Sequence, residues 1–341
     1  MNAILPAAET AKAMSWRDVT DWYIPEVEGQ EVIIYPGAVK ATGDLLEHAK
    51  HLRELALWRQ SQDMTPPSDW QLEYQQIQMR AHRQTTVGGT LYILRRISTD
   101  LPQLKKLGIP PEVMKLLTLP NFGEHGGLVL LTGGPGHGKS TTAAAILLER
   151  VRAYGYFCLT VEDPPEFAMH NEYLAANGRL GQIIQVPAKS ESFAYDLKDA
   201  LRCYPSSMKG SMLMVGEVRD GNAAAQLLRA AVNGQLVFAT LHAGDPIAAL
   251  ERILSLAKEE MGQDEAKSLL AHSLRGVLHQ RLESGKLQME ALLSMSPTSS
   301  VAARIKGVSL AQLSTDLEQQ KTLLARGKLL ESIRVSTRPG V

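Results

Sequence analysis

Residues 127–141 read GLVLLTGGPGHGKST, an apolar run that breaks into glycines and resumes with helical spacing. Within it Gly133, Gly134, Pro135, Gly136, His137, Gly138, Lys139 and Ser140 fit G-x-x-x-x-G-K-[ST] throughout. The pattern has a mechanism only between a strand and a helix. There the glycines let backbone N–H groups turn inward around phosphate oxygens, and the helix N-terminus adds its positive dipole. The flanks supply that context: 128–132 predicts a short buried strand and 139–153 a helix. Lys139 is expected to reach the β- and γ-phosphates of a nucleotide, Ser140 to hold Mg²⁺, and Thr141 to lie near the α-phosphate. His137 fills a variable position and reads as a tolerated residue rather than a catalytic one.

Downstream of this loop, strands and helices alternate, which predicts an α/β domain with a largely parallel sheet. Strands are expected at 156–161, 182–186, 212–215 and 235–241, and helices at 193–204, 223–232 and 248–261. The charged tail at 315–333 has a further helical pattern. Upstream of about residue 100 the character is mixed. A helix is expected at 42–60, opened by Thr42, with β-like runs at 31–35 and 90–97 and a Pro-Pro turn in MTPPSD at 64–69. The domain reading is therefore an N-terminal domain at 1–100, a linker at 101–112 and a second domain with C-terminal helices at 113–341. No internal repeat or low-complexity segment is evident.

A chain of 341 residues is long enough for roughly two domains. Lys plus Arg is 36 and Asp plus Glu is 36, so the net charge is zero, which argues against a generic polyanion binder. The 2 cysteines, Cys158 and Cys203, form neither a CxxC pair nor a zinc spacing, so the expectation is two core thiols in a reducing compartment. No apolar run approaches the length of a membrane span, and the first 14 residues lack the basic start and cleavage site of a signal peptide.

Hydrolysis at a phosphate loop needs a metal anchor, a group that orients water, and positive charge for the transition state. Two acidic clusters follow at predicted strand ends, LTVEDPPE at 159–166 and MLMVGEVRD at 212–220. In an open α/β sheet the ligand lies beyond the carboxyl ends of the strands, so both should face the loop. Glu217 is the first candidate for activating water, directly or through the metal shell, and Glu162 the second. The sequence leaves open which is the base. Asp163 reads equally well as a turn former before Pro164. A third strand ends in Thr240-Leu241-His242, and His242 at that edge is placed to sense the γ-phosphate or a water beside it.

In order, GGPGHGKST, TVEDPPEF, MLMVGEVRD and GQLVFATLHAGDP resemble the phosphate loop, acidic box, Walker B strand and histidine box of the secretion ATPase superfamily, which serves type II and type IV secretion and type IV pili. The likeness covers 127–254, and LYILRRIS at 91–98 extends it upstream. It implies a PAS-like α+β N-terminal domain, a RecA-like ATPase core, Mg-ATP as cofactor, and a homohexameric ring that turns hydrolysis into mechanical work. It also implies arginines from the N-terminal domain that complete the site. Arg80 and Arg95 stand at the matching places, with Arg83 and Arg96 as near competitors. Arg202 and Arg219 match as structural or coupling residues. The implied partners are other copies of the chain and inner-membrane platform or secretion-channel proteins, with no direct nucleic acid. The implied location is cytoplasmic, at the inner membrane through those partners.

With only Cys158 and Cys203 there is no tetracysteine metal site. This directs the resemblance to the compact branch, the pilus retraction and type IVB secretion or conjugation ATPases, whose linker TDLPQLKKLGIPPEVMKLL resembles. The chain departs from the family at Gly134, Pro135 and His137 and at 205–211, and it shows no AIRAGE-like motif of retraction ATPases. Two other readings follow from the residues: a weakly hydrolysing nucleotide-binding docking protein of the same machine, and a RecA-like nucleic-acid motor.

Overall fold

Four apolar runs, GLVLLT, FCLTVE, MLMV and LVFATL, are buried along their whole length and form adjacent parallel strands. Only a sheet covered on both faces accepts such runs. The computed structural model describes residues 14–64, 68–188, 193–205, 210–307 and 309–332. The chain forms two units, Met1–Thr99 and Asp100–Val341.

The first unit contains strands β1 (Asp21–Pro25), β2 (Ile33–Tyr35) and β3 (Val39–Lys40), helix α1 (Asp44–Ser61), and strands β4 (Asp69–Tyr74), β5 (Ile77–Thr86) and β6 (Gly89–Arg96). The strands form an antiparallel sheet in the order β3-β2-β1-β6-β5-β4. One face is apolar: Trp22, Ile24, Ile34, Met79, Ala81, Tyr92 and Leu94 pack in one core with Leu45, Ala49, Leu52 and Ala56 of α1. The expected helix is present, but its N-cap is Gly43, in a positive-φ conformation, rather than Thr42. The strands β1, β3, β4 and β5 are additions to what the sequence predicts. Most of the Pro-Pro turn expected in MTPPSD, 65–67, lies outside the described residues, as do the first 13 residues read for a signal peptide.

The second unit begins with helix α2 (Pro111–Leu117) and then alternates: β7 (Gly127–Thr132), α3 (Lys139–Tyr154), β8 (Phe157–Glu162), β9 (Asn171–Leu174), β10 (Leu180–Pro187), α4 (Phe193–Ala200), β11 (Met212–Val215), α5 (Gly221–Val232), β12 (Leu236–Leu241) and α6 (Pro246–Met261). Then come α7 (Gln263–Ser273), the hairpin β13 (Leu274–Glu283) and β14 (Lys286–Leu293), α8 (Ser300–Lys306), α9 (Leu313–Ala325) and α10 (Leu329–Ser332). The sheet order is β14-β13-β7-β12-β11-β8-β10-β9. The strands from β13 to β10 are parallel, with β14 and β9 as antiparallel edges.

Alternation along each strand divides the apolar residues between two cores. Leu128, Leu130, Leu159, Val161, Leu213, Val215, Val237 and Ala239 join the core under α5, α6 and α7. Val129, Leu131, Cys158, Met212, Met214 and Phe238 join the core under α3 and α2. At about 1.5–3 kcal/mol for each buried Leu, Val or Phe side chain, this double layer fixes the strand ends on which the site stands.

Two expectations need correction. The segment 101–112 is not a linker outside the second unit: Leu104 and Ile109 are buried in the α3-side core, and the second unit starts at Asp100. The helical pattern of the tail is carried by α9 and α10, with a break around Gly327, whose φ is +65°; Ile333 lies outside the described residues. Cys158 is buried as expected, but Cys203 is exposed on a 3-10 turn after α4.

Candidate functional site

The loop from Gly133 to Gly138 connects β7 to α3, and its shape calls for glycine at Gly133, Gly136 and Gly138. Gly133 has φ +144°, and a Cβ there would stand 2.2 Å from the Gln280 carbonyl oxygen of β13. Gly138 caps α3 in the left-handed region, φ +75°. These conformations are cheap only for glycine. Gly134, by contrast, has no positive φ, and a Cβ there would meet the His137 ring at 3.4 Å.

Each expected carboxylate or histidine stands where its strand ends. Glu162 is the last residue of β8, Glu217 follows β11 by two residues, and His242 follows β12 by one. Gly216 permits the close approach, since a Cβ on it would lie 3.2 Å from the Glu162 Cα. The Thr240 hydroxyl donates to the Gly216 carbonyl and ties the ends of β12 and β11 together. Asp220 and Asp245 then cap α5 and α6 through Ala223 N and through Ile247 N and Ala248 N, turning the chain away from the edge.

The result is a cleft of about 400 Å³ lined by Gly136, Lys139, Ser140, Thr141, Glu162, Asp163, Glu166, Glu217, Arg219 and His242 among others. The side chains form a continuous polar chain. Lys139 Nζ donates to the Gly134 carbonyl at 2.9 Å and lies 3.4 Å from His242 Nδ1. His242 Nε2 is 3.3 Å from Glu217 Oε1. Arg219 Nε donates to Glu217 Oε2 at 2.8 Å, and its Nη1 to Asp163 Oδ2 at 3.0 Å. With Glu217 accepting from Nε2–H, His242 Nδ1 is left to accept from Lys139, and the Gly133 carbonyl lies 3.2 Å from the same nitrogen.

Burial lowers the pKa of the Lys139 ammonium, with Glu217 and then Glu166 opposing the shift. Burial also raises the carboxyl pKa of Glu162, against the pull of the Thr160 hydroxyl (2.6 Å) and the Gln185 amide (3.1 Å). The Ser140 hydroxyl donates to Glu166 Oε1 at 3.0 Å. A hydroxyl beside carboxylates is a hard-oxygen set suited to Mg²⁺ bound chiefly through phosphate and water. Among the described residues, no group of three or more His, Cys, Asp or Glu is placed to hold a metal ion alone.

The structure therefore brings together Lys139, Ser140, Thr141, Glu162, Glu217 and His242. Arg80 and Arg95 lie in the first unit, as direct partners across β5 and β6, so they share a sheet face. There Arg80 pairs with Asp69 and Arg95 with Asp21. Among the alternatives, Arg96 donates to the Arg17 carbonyl, and Arg202 is exposed beside Asp199. Asp163 is a member of the polar chain and not only a turn former. Three residues were not singled out by sequence reasoning: Glu166, Gln185 and Gln280. Glu166 was within reach, three positions beyond Asp163 in the same acidic run. Gln280 carried no signal, because β13 follows α7 with no intervening turn residue.

Comparison with known proteins places these features in a wider set. The family described as type II/IV secretion system protein matches residues 55–314. The chain is 36% identical over 215 residues to the uncharacterized protein YggR of Escherichia coli K12, covering 61% of this chain and 60% of that protein. It is 28% identical over 263 residues to the twitching motility protein of Neisseria gonorrhoeae, covering 76% and 62%. It is 31% identical over 194 residues to the type IV pilus retraction ATPase PilT of Pseudomonas aeruginosa, covering 57% and 52%. The chain thus spans between about half and three fifths of the length of these relatives. Among solved structures, the pilus retraction motor PilT with bound ADP matches at TM-score 0.65 and 24% identity, covering 93% of this chain and 89% of that one. The Legionella pneumophila ATPase DotB matches at 0.64 and 19%, covering 94% and 86%. At these identities the likeness to PilT and DotB is one of fold, and the fold is the RecA-like α/β core with a smaller α+β domain that the sequence led us to expect.

Proposed function

This chain belongs to the type II/IV secretion system protein family, and from that premise we propose that it is a Mg-ATP hydrolase working as a homohexameric ring. Its hydrolysis drives a type IV pilus or a type IV secretion or conjugation machine from the cytoplasmic face of the inner membrane, through platform or channel proteins. The observation that carries this reading is the unbroken polar chain from Lys139 through His242 and Glu217 to Arg219 and Asp163 above the phosphate loop.

In the proposed reaction the loop amides and Lys139 hold the β- and γ-phosphates, and Ser140 anchors Mg²⁺, which supplies charge neutralisation for the leaving phosphate. Glu162 takes the proton of the attacking water. Its buried carboxylate lines the cleft, and burial raises its pKa, which favours proton uptake. Glu217, already paired with Arg219 and His242, orients the water or the metal shell and passes the state of the γ-phosphate to those partners. Arg80 and Arg95 are assigned the stabilisation of transition-state charge, a role worth roughly 10³–10⁵ in rate where an arginine fills it.

Lys139→Ala is expected to lose Mg-ATP binding, while Glu162→Gln and Glu217→Gln bind Mg-ATP and turn over at least about a hundredfold slower. Full turnover in both carboxamide variants would overturn the site assignment. ATPase activity that rises on adding DNA would replace the reading with a nucleic-acid motor.

A further inference from the structure

The hairpin β13–β14 contributes nothing to the lining of the cleft, yet two successive residues of β13 hold both ends of the phosphate loop. The His279 ring Nδ1 lies 3.1 Å from the Thr132 hydroxyl, on the residue that closes β7. Gln280 Nε2 donates to the His137 carbonyl at 2.6 Å, and the His137 ring Nδ1 returns to the Gln280 carbonyl at 3.3 Å. Gln280 is 1% exposed. Its amide orientation is set by chemistry, since only the NH₂ end can face a carbonyl. Gly133 lies so close to the Gln280 carbonyl that no side chain fits between them.

The geometry points to Gln280 as a positioning residue for phosphate binding, acting through the peptide that joins His137 to Gly138. This rests on the nucleotide reading above. In a trans peptide the carbonyl and the following N–H point in opposite directions. With the His137 carbonyl drawn onto β13, the Gly138 N–H is turned away from β13, towards the side on which Gly136, Gly138 and Lys139 line the cleft. Without that bond the peptide is held less firmly, because its rotation changes ψ of His137 and φ of Gly138, and a glycine tolerates either sign of φ. The presence of His137 in the loop then has a physical reason: its ring reaches back to the same residue that holds its carbonyl.

Gln280→Met keeps length and volume while removing the donor. Its cost to folding is softened, because Gln280 Oε1 is buried with no hydrogen-bond partner among the described residues and leaves together with the donor. Calorimetry of Mg-ADP binding to the full chain is expected to show an affinity about tenfold weaker in Gln280→Met, with KM for ATP rising similarly and kcat falling less. The melting temperature without nucleotide changes little, and the stabilisation conferred by ADP shrinks. Gln280→Asn, whose amide is one methylene too short to reach, is expected to behave alike and stands in if the methionine variant folds poorly. If wild type binds ADP and both variants bind it equally well, or if they lose melting temperature with unchanged ADP affinity, Gln280 is only structural. If wild type itself binds no nucleotide, the nucleotide reading fails first.

Discussion

The two sheets of this chain bury their residues differently. In the second unit β7, β8, β11 and β12 are apolar on both faces, and their chemistry is concentrated at one edge, where the strands stop. In the first unit β5 reads IQMRAHRQTT: Ile77, Met79 and Ala81 are buried, and Gln78, Arg80 and His82 point the other way. A doubly covered sheet offers only its strand ends for function. A singly covered sheet offers a face, and on that face Arg80 and Arg95 stand as cross-strand partners. The contrast sets the proposed reacting groups at the first kind of position and the proposed assisting arginines at the second.

The largest change is expected at the strand ends. Lys139→Ala should abolish measurable ATP turnover and Mg-ATP binding, whereas Arg80→Ala or Arg95→Ala should lower kcat and leave ATP affinity within about threefold; steady-state kinetics beside calorimetry separate the two. Equal loss of binding in all three would erase the distinction.

Next in size is core stability. Phe238→Ala, from a strand buried on both faces, is expected to cost about 3–5 kcal/mol in denaturant unfolding. Gln71→Ala, on the exposed face of β4, should stay within about 0.5 kcal/mol. A comparable cost at Gln71 would mean that the outward face of the first sheet is packed.

The smallest effect concerns Glu162. Its carboxyl is raised by burial, so the folded protein holds that proton more tightly than the unfolded chain does. The penalty for ionising it in place is absent below the ordinary carboxylate pKa and grows as pH rises through the folded value. Glu162→Gln should therefore melt higher than wild type at pH 7, with the advantage fading towards pH 4. An advantage that grew on acidification would contradict a raised carboxyl.

The same contrast explains what the sequence disclosed. Continuous apolar runs such as MLMV need no partner to be recognised, and the acidic or histidine residue after each is legible by position alone. The alternation in β5 is diluted by polar residues, and β1 and β4 are short, so the antiparallel sheet was largely illegible although α1 was not. Hairpin β13–β14 was hidden for another reason: α7 ends at Ser273 and β13 begins at Leu274, with no glycine or proline to mark the change. With it were hidden His279 and Gln280, which meet the phosphate loop only through tertiary pairing of β13 with β7. Arg219 and Glu166 stood in plain view, but their bonds to Glu217 and Ser140 depend on how separate strand ends converge.

In the proposed function, hydrolysis belongs to an assembled ring. The direct test is ATP turnover per chain across protein concentration, with mass measured alongside, for wild type and Glu162→Gln. Turnover is expected to rise as a six-subunit species forms, and Glu162→Gln to assemble and bind Mg-ATP with turnover at least about a hundredfold lower. A monomer that binds ATP and neither assembles nor hydrolyses it would instead be a nucleotide-binding docking protein.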